Sequence, residues 1–283
     1  MILDFHSHIY PQYIIENKNE LLNVDKTLKE LYSGENSFMA SSEDLIRSMD
    51  RNKVDVSVVL GIGWNDQKLC TMSNNYIIES VKRYPDRLKG FCSVNPLWGE
   101  FALKEIDRCA NEGLIGVGEL HPYAQACDLT DKTVMKPLMD KCSQLGLPVL
   151  IHASEPLGHE YPGKGNTTPD VLYKFILHFP DSVIILAHFG GGLPFYNFMP
   201  EVSNSLNNVF FDTAALPFIY NSSLYDVIDD IIGHEKVVFG TDFPLMDQSR
   251  IIHAIMVSSM SDKAKMNILS SNGLKLLNIS QVN

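Results

Sequence analysis

The sequence predicts an α/β fold in which eight parallel strands alternate with helices and close into a (β/α)8, or TIM, barrel. Three observations carry this expectation. Eight short apolar runs recur along the 283 residues. Segments with helical period and recognisable caps separate them. The repeat units, of roughly 25–50 residues, fit βα alternation in a chain of barrel length.

In order, the runs are ILDF at 2–5, VDVSVVLGIG at 54–63, LKGFCSV at 88–94 and LIGVGEL at 114–120. PVLIHA at 148–153, SVIILAHF at 182–189, NVFFDTA at 208–214 and KVVFGTDF at 236–243 complete the set. Several are nearly continuous rather than alternating, the pattern of strands buried on both faces of a parallel sheet. The helices between them mark their own ends. Ser41-Ser42-Glu43-Asp44 offers an N-cap and first-turn acids before LIRSMDRN, and Asp131 opens a second helix. Pro169 takes the first helical position before VLYKFILHF, where its missing N–H costs nothing. Gly113 and Gly146 stand where helix C-termini turn. An open doubly wound sheet would carry a Gly-rich fingerprint after the first strand, but here that strand ends in His-Ser-His.

Two stretches break the rhythm. Residues 11–40 form a long insertion between the first strand and the first capped helix, and residues 154–168, SEPLGHEYPGKGNTT, are dense in Gly and Pro. Both follow strands, so both are expected as loops over the barrel face where chemistry occurs. No linker composition divides the chain, which reads as a single barrel domain over 1–283.

Bulk properties exclude some functions. A hydrophobic fraction of 45% and a charged fraction of 20% are ordinary for a globular protein. A formal net charge of −11 argues against a surface that tracks nucleic-acid phosphates. Five cysteines without a C-x-x-C pair read as reduced thiols rather than a disulfide framework. The N-terminus lacks the pattern of a signal peptide, and no apolar run approaches the ~18 residues of a membrane span. The expectation is a cytoplasmic protein acting on a small molecule, with no membrane or nucleic-acid partner; a homodimer is the base-rate expectation.

In a barrel the C-terminal ends of different strands converge on one site. The first strand supplies His6 and His8, whose spacing of two puts them on one face. Glu119 comes from the fourth strand, His152 from the fifth, His188 from the sixth and Asp242 from the eighth. Each has an ordinary structural explanation alone. Their joint placement at equivalent points of one repeat makes a metal site, because imidazole nitrogen and carboxylate oxygen suit Zn, Mn or Fe. His121, His159, Tyr161 and Lys164 follow the fourth and fifth strands and are candidate substrate contacts, with Arg250 as a further cation. Tyr161, Trp64 and Phe189 are candidates for an apolar wall. His178, His234 and His253 read as structural. Gly190-Gly191-Gly192 offers either backbone N–H groups to a substrate oxyanion or a plain turn.

With H-x-H on the first strand and the phrases GVGEL, PVLIHAS, LAHFGGG and FGTDFP, the chain resembles the amidohydrolase superfamily. The resemblance runs from Asp4 to about Asn272. It is strongest to the amidohydrolase-related branch, which includes lactone and amide hydrolases and the aminocarboxymuconate-semialdehyde decarboxylase type. It implies a distorted TIM barrel with His6, His8, His152 and Asp242 on a metal and His188 near the substrate. Glu119 would bridge where two ions are held. The implied cofactor is one or two divalent ions, Zn²⁺ first, with Mn²⁺ or Fe²⁺ as alternatives. The intact His-x-His leans toward hydrolysis, since resorcylate-type decarboxylases carry an acidic residue in place of the first histidine. The expected activity is therefore attack of a metal-activated water on a small amide, lactone or ester carbonyl, with Asp242 moving the proton and His188 polarising the carbonyl. Nonhydrolytic decarboxylation of an unsaturated or aromatic carboxylic acid on the same metal is the alternative.

Overall fold

The computed structural model of the chain describes residues 1–34 and 37–278. All eight expected strands form: β1 (Leu3–His8), β2 (Val56–Leu60), β3 (Leu88–Gly90), β4 (Val117–Leu120), β5 (Val149–Ile151), β6 (Ile184–Leu186), β7 (Val209–Asp212) and β8 (Val237–Val238). Neighbours pair in parallel in the order β1-β2-β3 and β4-β5-β6-β7-β8. Isolated parallel bridges, Cys92 to Val117 and Ser7 to Phe243, join the two sheets at both seams. Several strands are shorter than their apolar runs, because the runs end in polar positions that leave the ladder to reach the site.

The caps behave as their chemistry requires. Ser41 and Asp44 form a reciprocal capping box on the helix Ser42–Asn52, and Asp131 accepts from the Thr133 amide. Gly146 ends its helix in the left-handed conformation, with φ 65°.

Alternation hidden in the continuous runs sorts side chains into two cores. Val149 and Ile151, Ile184 and Leu186, and Val237 and Phe239 face the helices in one cluster. Leu150, Ile185 and Val238 face inward in another, with Leu3, Phe5, Val58, Leu60 and Phe91. Keeping that period of two, Leu150 leads to His152, Phe210 to Asp212 and Val238 to Asp242. The interior apolar column thus turns polar at its C-terminal end.

Two strands reach this phase by a bulge. β1 spends Asp4 to Ser7 against Ser57 to Val59 of β2, one residue more than its partner. The extra residue puts His6 and His8 on the same side as Phe5, while Ser7 turns back to donate to Asp4 at 3.1 Å. β4 repeats the device, with Val117 to Leu120 set against Val149 to Ile151. Bulges re-aim side chains in this way beside functional sites, and here they aim His6, His8 and Glu119.

The insertion at 11–40 departs from the expected loop. It folds into helices Gln12–Glu16, Lys18–Leu21 and Lys26–Tyr32. Ile14, Leu21, Leu28 and Tyr32 pack with Tyr10, Ile62 and Trp64 into a satellite core. Its apolar residues at helical spacing find a surface to bury, and that outweighs the loop reading. Residues 155–168, by contrast, contain no helix or strand. No described helix is long and apolar enough to cross a membrane. All five cysteines are buried and unpaired.

Candidate metal centre

Strands β1, β4, β5 and β6 and the loop after β8 bring the expected residues to one buried place. His6 Nε2 lies 3.1 Å from His8 Nε2. Glu119 Oε2 is 3.5 Å from His6 Nε2 and 3.4 Å from His8 Nε2. Asp242 Oδ1 is 3.3 Å from His8 Nε2. The other Glu119 oxygen, Oε1, is 3.1 Å from His152 Nδ1 and 3.7 Å from His188 Nε2. One carboxylate therefore joins two donor groups, His6–His8–Glu119 and Glu119–His152–His188.

These donors fit a divalent cation. The Nδ1–H of His6 donates to Asp212 Oδ2 at 2.7 Å. That of His8 donates to the Leu60 carbonyl at 3.3 Å, and that of His188 to the Ala214 carbonyl at 3.0 Å. Fixing Nδ1 as the donor leaves Nε2 as a lone pair, the usual preparation of a metal-binding imidazole. Two such lone pairs face each other across the His6–His8 gap, which requires a positive charge between them. The buried Nε2 of His152 has no partner among the described residues.

Electrostatics agree. Burial disfavours charge on His6, but Asp212 and Glu119 outweigh it and hold its pKa well above the ordinary value. Burial is likewise outweighed at His8, by Asp242 and Glu119. For the carboxyls burial acts upward, yet His121 and His6 hold Glu119 well below its usual range. Asp242 is lowered, against burial, by His8, His6 and His188. The carboxylates thus favour protons on His6 and His8, and a cation bound here would compete with those protons. Because the histidine values are raised, this competition extends above the ordinary histidine range. Mn²⁺ affinity is therefore expected to rise with pH through and above the ordinary histidine range, with net proton release. Calorimetric titrations in buffers of different ionisation enthalpy measure both; affinity independent of pH would contradict the arrangement.

Backbone strain marks the same place. His188 and Asp242, both non-glycine, sit at φ 55° and 65°, a conformation L-residues visit at a cost and keep mainly where function over-determines it. Left-handed geometry continues through Phe189 and Gly190–Gly192, so the glycines form a turn. A Cβ on Gly191, at φ 59°, would meet the Ser154 carbonyl oxygen at 2.2 Å. Gly191→Ala is expected to lose about 1–2 kcal/mol from the handedness and about 1–3 kcal/mol from overpacking. Urea melts would show it; an unchanged midpoint would contradict the close approach.

The candidate substrate contacts divide. His121 Nε2–H donates to Glu119 Oε2 at 2.9 Å, and the ring stacks on His152 with centroids 4.5 Å apart. His121, His159 and Tyr161 line a cavity of about 590 Å³ that opens onto the donor cluster. Lys164 departs from its expected role. Its ammonium is tied to the His159 carbonyl at 3.0 Å and to Glu160 at 3.2 Å, so it braces its own loop rather than the cavity. Arg250 lies over the Phe218 ring at 5.1 Å and does not line the cavity. Trp64 and Phe189 are fully buried core, not cavity wall.

Asp212 is the residue the sequence analysis missed. Its Oδ2 accepts from His6, and its Oδ1 accepts from the His188 and Ala214 amides at 2.9 and 3.0 Å. The signal was present, since NVFFDTA ends the seventh run in an acid at the same phase as the other ligands. Asp4 is similar, a buried carboxylate accepting from Thr241 Oγ1 at 2.7 Å and Gln248 Nε2 at 2.8 Å, which ties β1 to the segment carrying Asp242.

The sequence profile described as Amidohydrolase matches residues 4–279. The chain belongs to this family. A 2-amino-3-carboxymuconate-6-semialdehyde decarboxylase of Dictyostelium discoideum is 24% identical, over 83% of this chain and 76% of its own length. A gamma-resorcylate decarboxylase of Polaromonas sp. is 23% identical, over 74% of this chain and 76% of its own. Among solved structures, a 5-carboxyvanillate decarboxylase from Novosphingobium aromaticivorans superposes with a TM-score of 0.80 at 18% identity, covering 98% of this chain and 96% of that one. That structure is a complex with manganese and 4-hydroxy-3-methoxy-5-nitrobenzoic acid. The shared fold of this amidohydrolase-family chain agrees with the barrel read from its strands.

Proposed function

We propose that the chain is a metal-dependent decarboxylase of a small aromatic or unsaturated carboxylic acid. This reverses the order of the two activities expected from the intact His-x-His. The activities of the relatives named above support the reversal, and the cavity is the observation that carries it. Its walls are largely apolar, including Leu31, Phe38, Ile62, Phe218, Ile219 and Leu245, and neither lysine nor arginine lines it among the described residues. A volume of about 590 Å³ suits one ring-sized molecule. Such a cavity holds an apolar body and leaves the acid group to the donor cluster.

A divalent ion of the Mn²⁺ or Zn²⁺ kind, held by His6, His8, His152 and Asp242, would supply positive charge against the substrate's oxygens. The chain's own residues do the rest. The apolar walls exclude water and set the ring against the cluster, which weakens solvation of the carboxylate and favours its loss. The carbon–carboxyl bond breaks, carbon dioxide leaves, and the electron pair stays on the substrate carbon. A proton must then reach that carbon. The Asp242 carboxylate, with His188 Nε2 on the same wall, is placed to take a proton from solvent and pass it to that carbon.

Hydrolysis is the second reading, favoured by one observation, that the Glu119 carboxylate reaches both donor groups as a bridging ligand would. The experiment is incubation of manganese-loaded protein with a panel of aromatic and unsaturated acids, amides and lactones in ¹⁸O-water. Release of carbon dioxide without ¹⁸O in the organic product supports decarboxylation. Label in a new carboxyl group, without carbon dioxide, overturns it in favour of hydrolysis.

A further inference from the structure

We propose that Tyr32 determines specificity by donating its hydroxyl proton to a second oxygen of the substrate, with Tyr10 fixing the direction of that O–H. The inference rests on the carboxylic-acid substrate proposed above and adds a feature to it: an oxygen substituent on the body of the molecule, apart from the group held at the donor cluster.

Tyr10 and Tyr32 place their hydroxyl oxygens 2.7 Å apart, with rings edge-on at 5.4 Å. Tyr10 is 1% exposed and sits in the satellite core against Trp64. Its hydroxyl has Tyr32 as its sole partner among the described residues. One hydroxyl proton can occupy that bond. Were Tyr32 the donor, the Tyr10 proton would be stranded in apolar surroundings, which buried polar groups avoid. Tyr10 is therefore the donor, and the Tyr32 proton must go elsewhere. Tyr32 lines the cavity and Tyr10 does not. The remaining direction is the cavity itself.

The other hydroxyls on the cavity wall are already committed. Ser37 donates to backbone carbonyls of Tyr32 and Gly34, and Tyr161 donates to Glu155 at 2.7 Å. That leaves Tyr32 with the one hydroxyl proton on the described wall not spent inside the protein. Burial keeps it on the oxygen, pushing the phenol above its ordinary range. With no lysine or arginine on that wall, a neutral O–H recognises a hydroxyl, methoxy or keto oxygen without demanding a second negative charge. A site built to bond a substrate oxygen discriminates against the analogue lacking it, because its own donor is then left unpaired.

The test is calorimetric binding of benzoate and of 2-, 3- and 4-hydroxybenzoate to manganese-loaded wild type, Tyr32→Phe and Tyr10→Phe. At least one hydroxybenzoate is expected to bind wild type about five- to tenfold more tightly than benzoate. Tyr32→Phe should erase that preference, with benzoate bound at least as tightly as by wild type and manganese content unchanged. Tyr10→Phe should reduce it, because the Tyr32 proton is then free to turn away. A preference that survives in Tyr32→Phe, or its absence from wild type while benzoate binds, overturns this inference alone. Binding of none of the four acids overturns the aromatic-acid reading and the inference with it.

Discussion

Asp242→Asn is expected to lower kcat by about 10²–10⁴-fold, the usual contribution of a positioned acid–base group, while the protein keeps its fold and most of its metal. The asparagine keeps one oxygen for a cation and cannot carry the proton. Its backbone place is independent of the side chain, since the Asp242 amide donates to the His6 carbonyl at 2.8 Å. Turnover of the acid the wild type accepts, measured beside metal content and a thermal melt, separates the two effects. Full activity would remove Asp242 from the chemistry. Loss of metal in parallel with activity would make it a ligand only.

Asp212→Asn should act through another residue. All three of its partners, His6 Nδ1 and the His188 and Ala214 amides, donate to its two oxygens. Asparagine has one acceptor oxygen. If that oxygen keeps the two amides, its NH₂ faces His6 Nδ1 and forces the proton onto Nε2, where the lone pair for the metal should be. If it serves His6 instead, two buried amides lose their acceptor and the strained turn at His188 loosens. Either way metal affinity is expected to fall about 10–100-fold, the range for residues that orient metal ligands. Competition with a chromophoric chelator measures it. Wild-type affinity would show that the tautomer of His6 is set by something else.

The fold was legible because each level of the sequence agreed. Apolar runs such as PVLIHA and KVVFGTDF gave strands, and the caps at Ser41 and Asp131 gave helix starts. The convergence of His6, His8, Glu119, His152, His188 and Asp242 was legible as well, because one architectural rule places strand ends together. How His6 and Glu119 reach the interior was not. A period of two alone would have put His6 on the opposite face from Phe5, and no residue in LDFHSH announces the bulge that corrects it. Asp212 escaped notice because a single acid after an apolar run has many uses. Lys164 misled for the opposite reason, since a cation in a glycine-rich loop resembles a ligand hook until its carbonyl partners are seen. Tyr32 lay in a segment read as loop, and its meaning depends on a hydroxyl 22 residues away.

The most direct test is the metal content of the purified protein, measured by inductively coupled plasma mass spectrometry beside a His6→Ala/His8→Ala variant of the same fold. The wild type is expected to hold Mn, Zn or Fe, before or after reconstitution, and the variant to lose it. Two equivalents per chain would assign Glu119 as a bridge, and one would leave it as a neighbour of a single ion. No metal in the wild type after reconstitution, or equal metal in the variant, would contradict the centre on which the proposed chemistry depends.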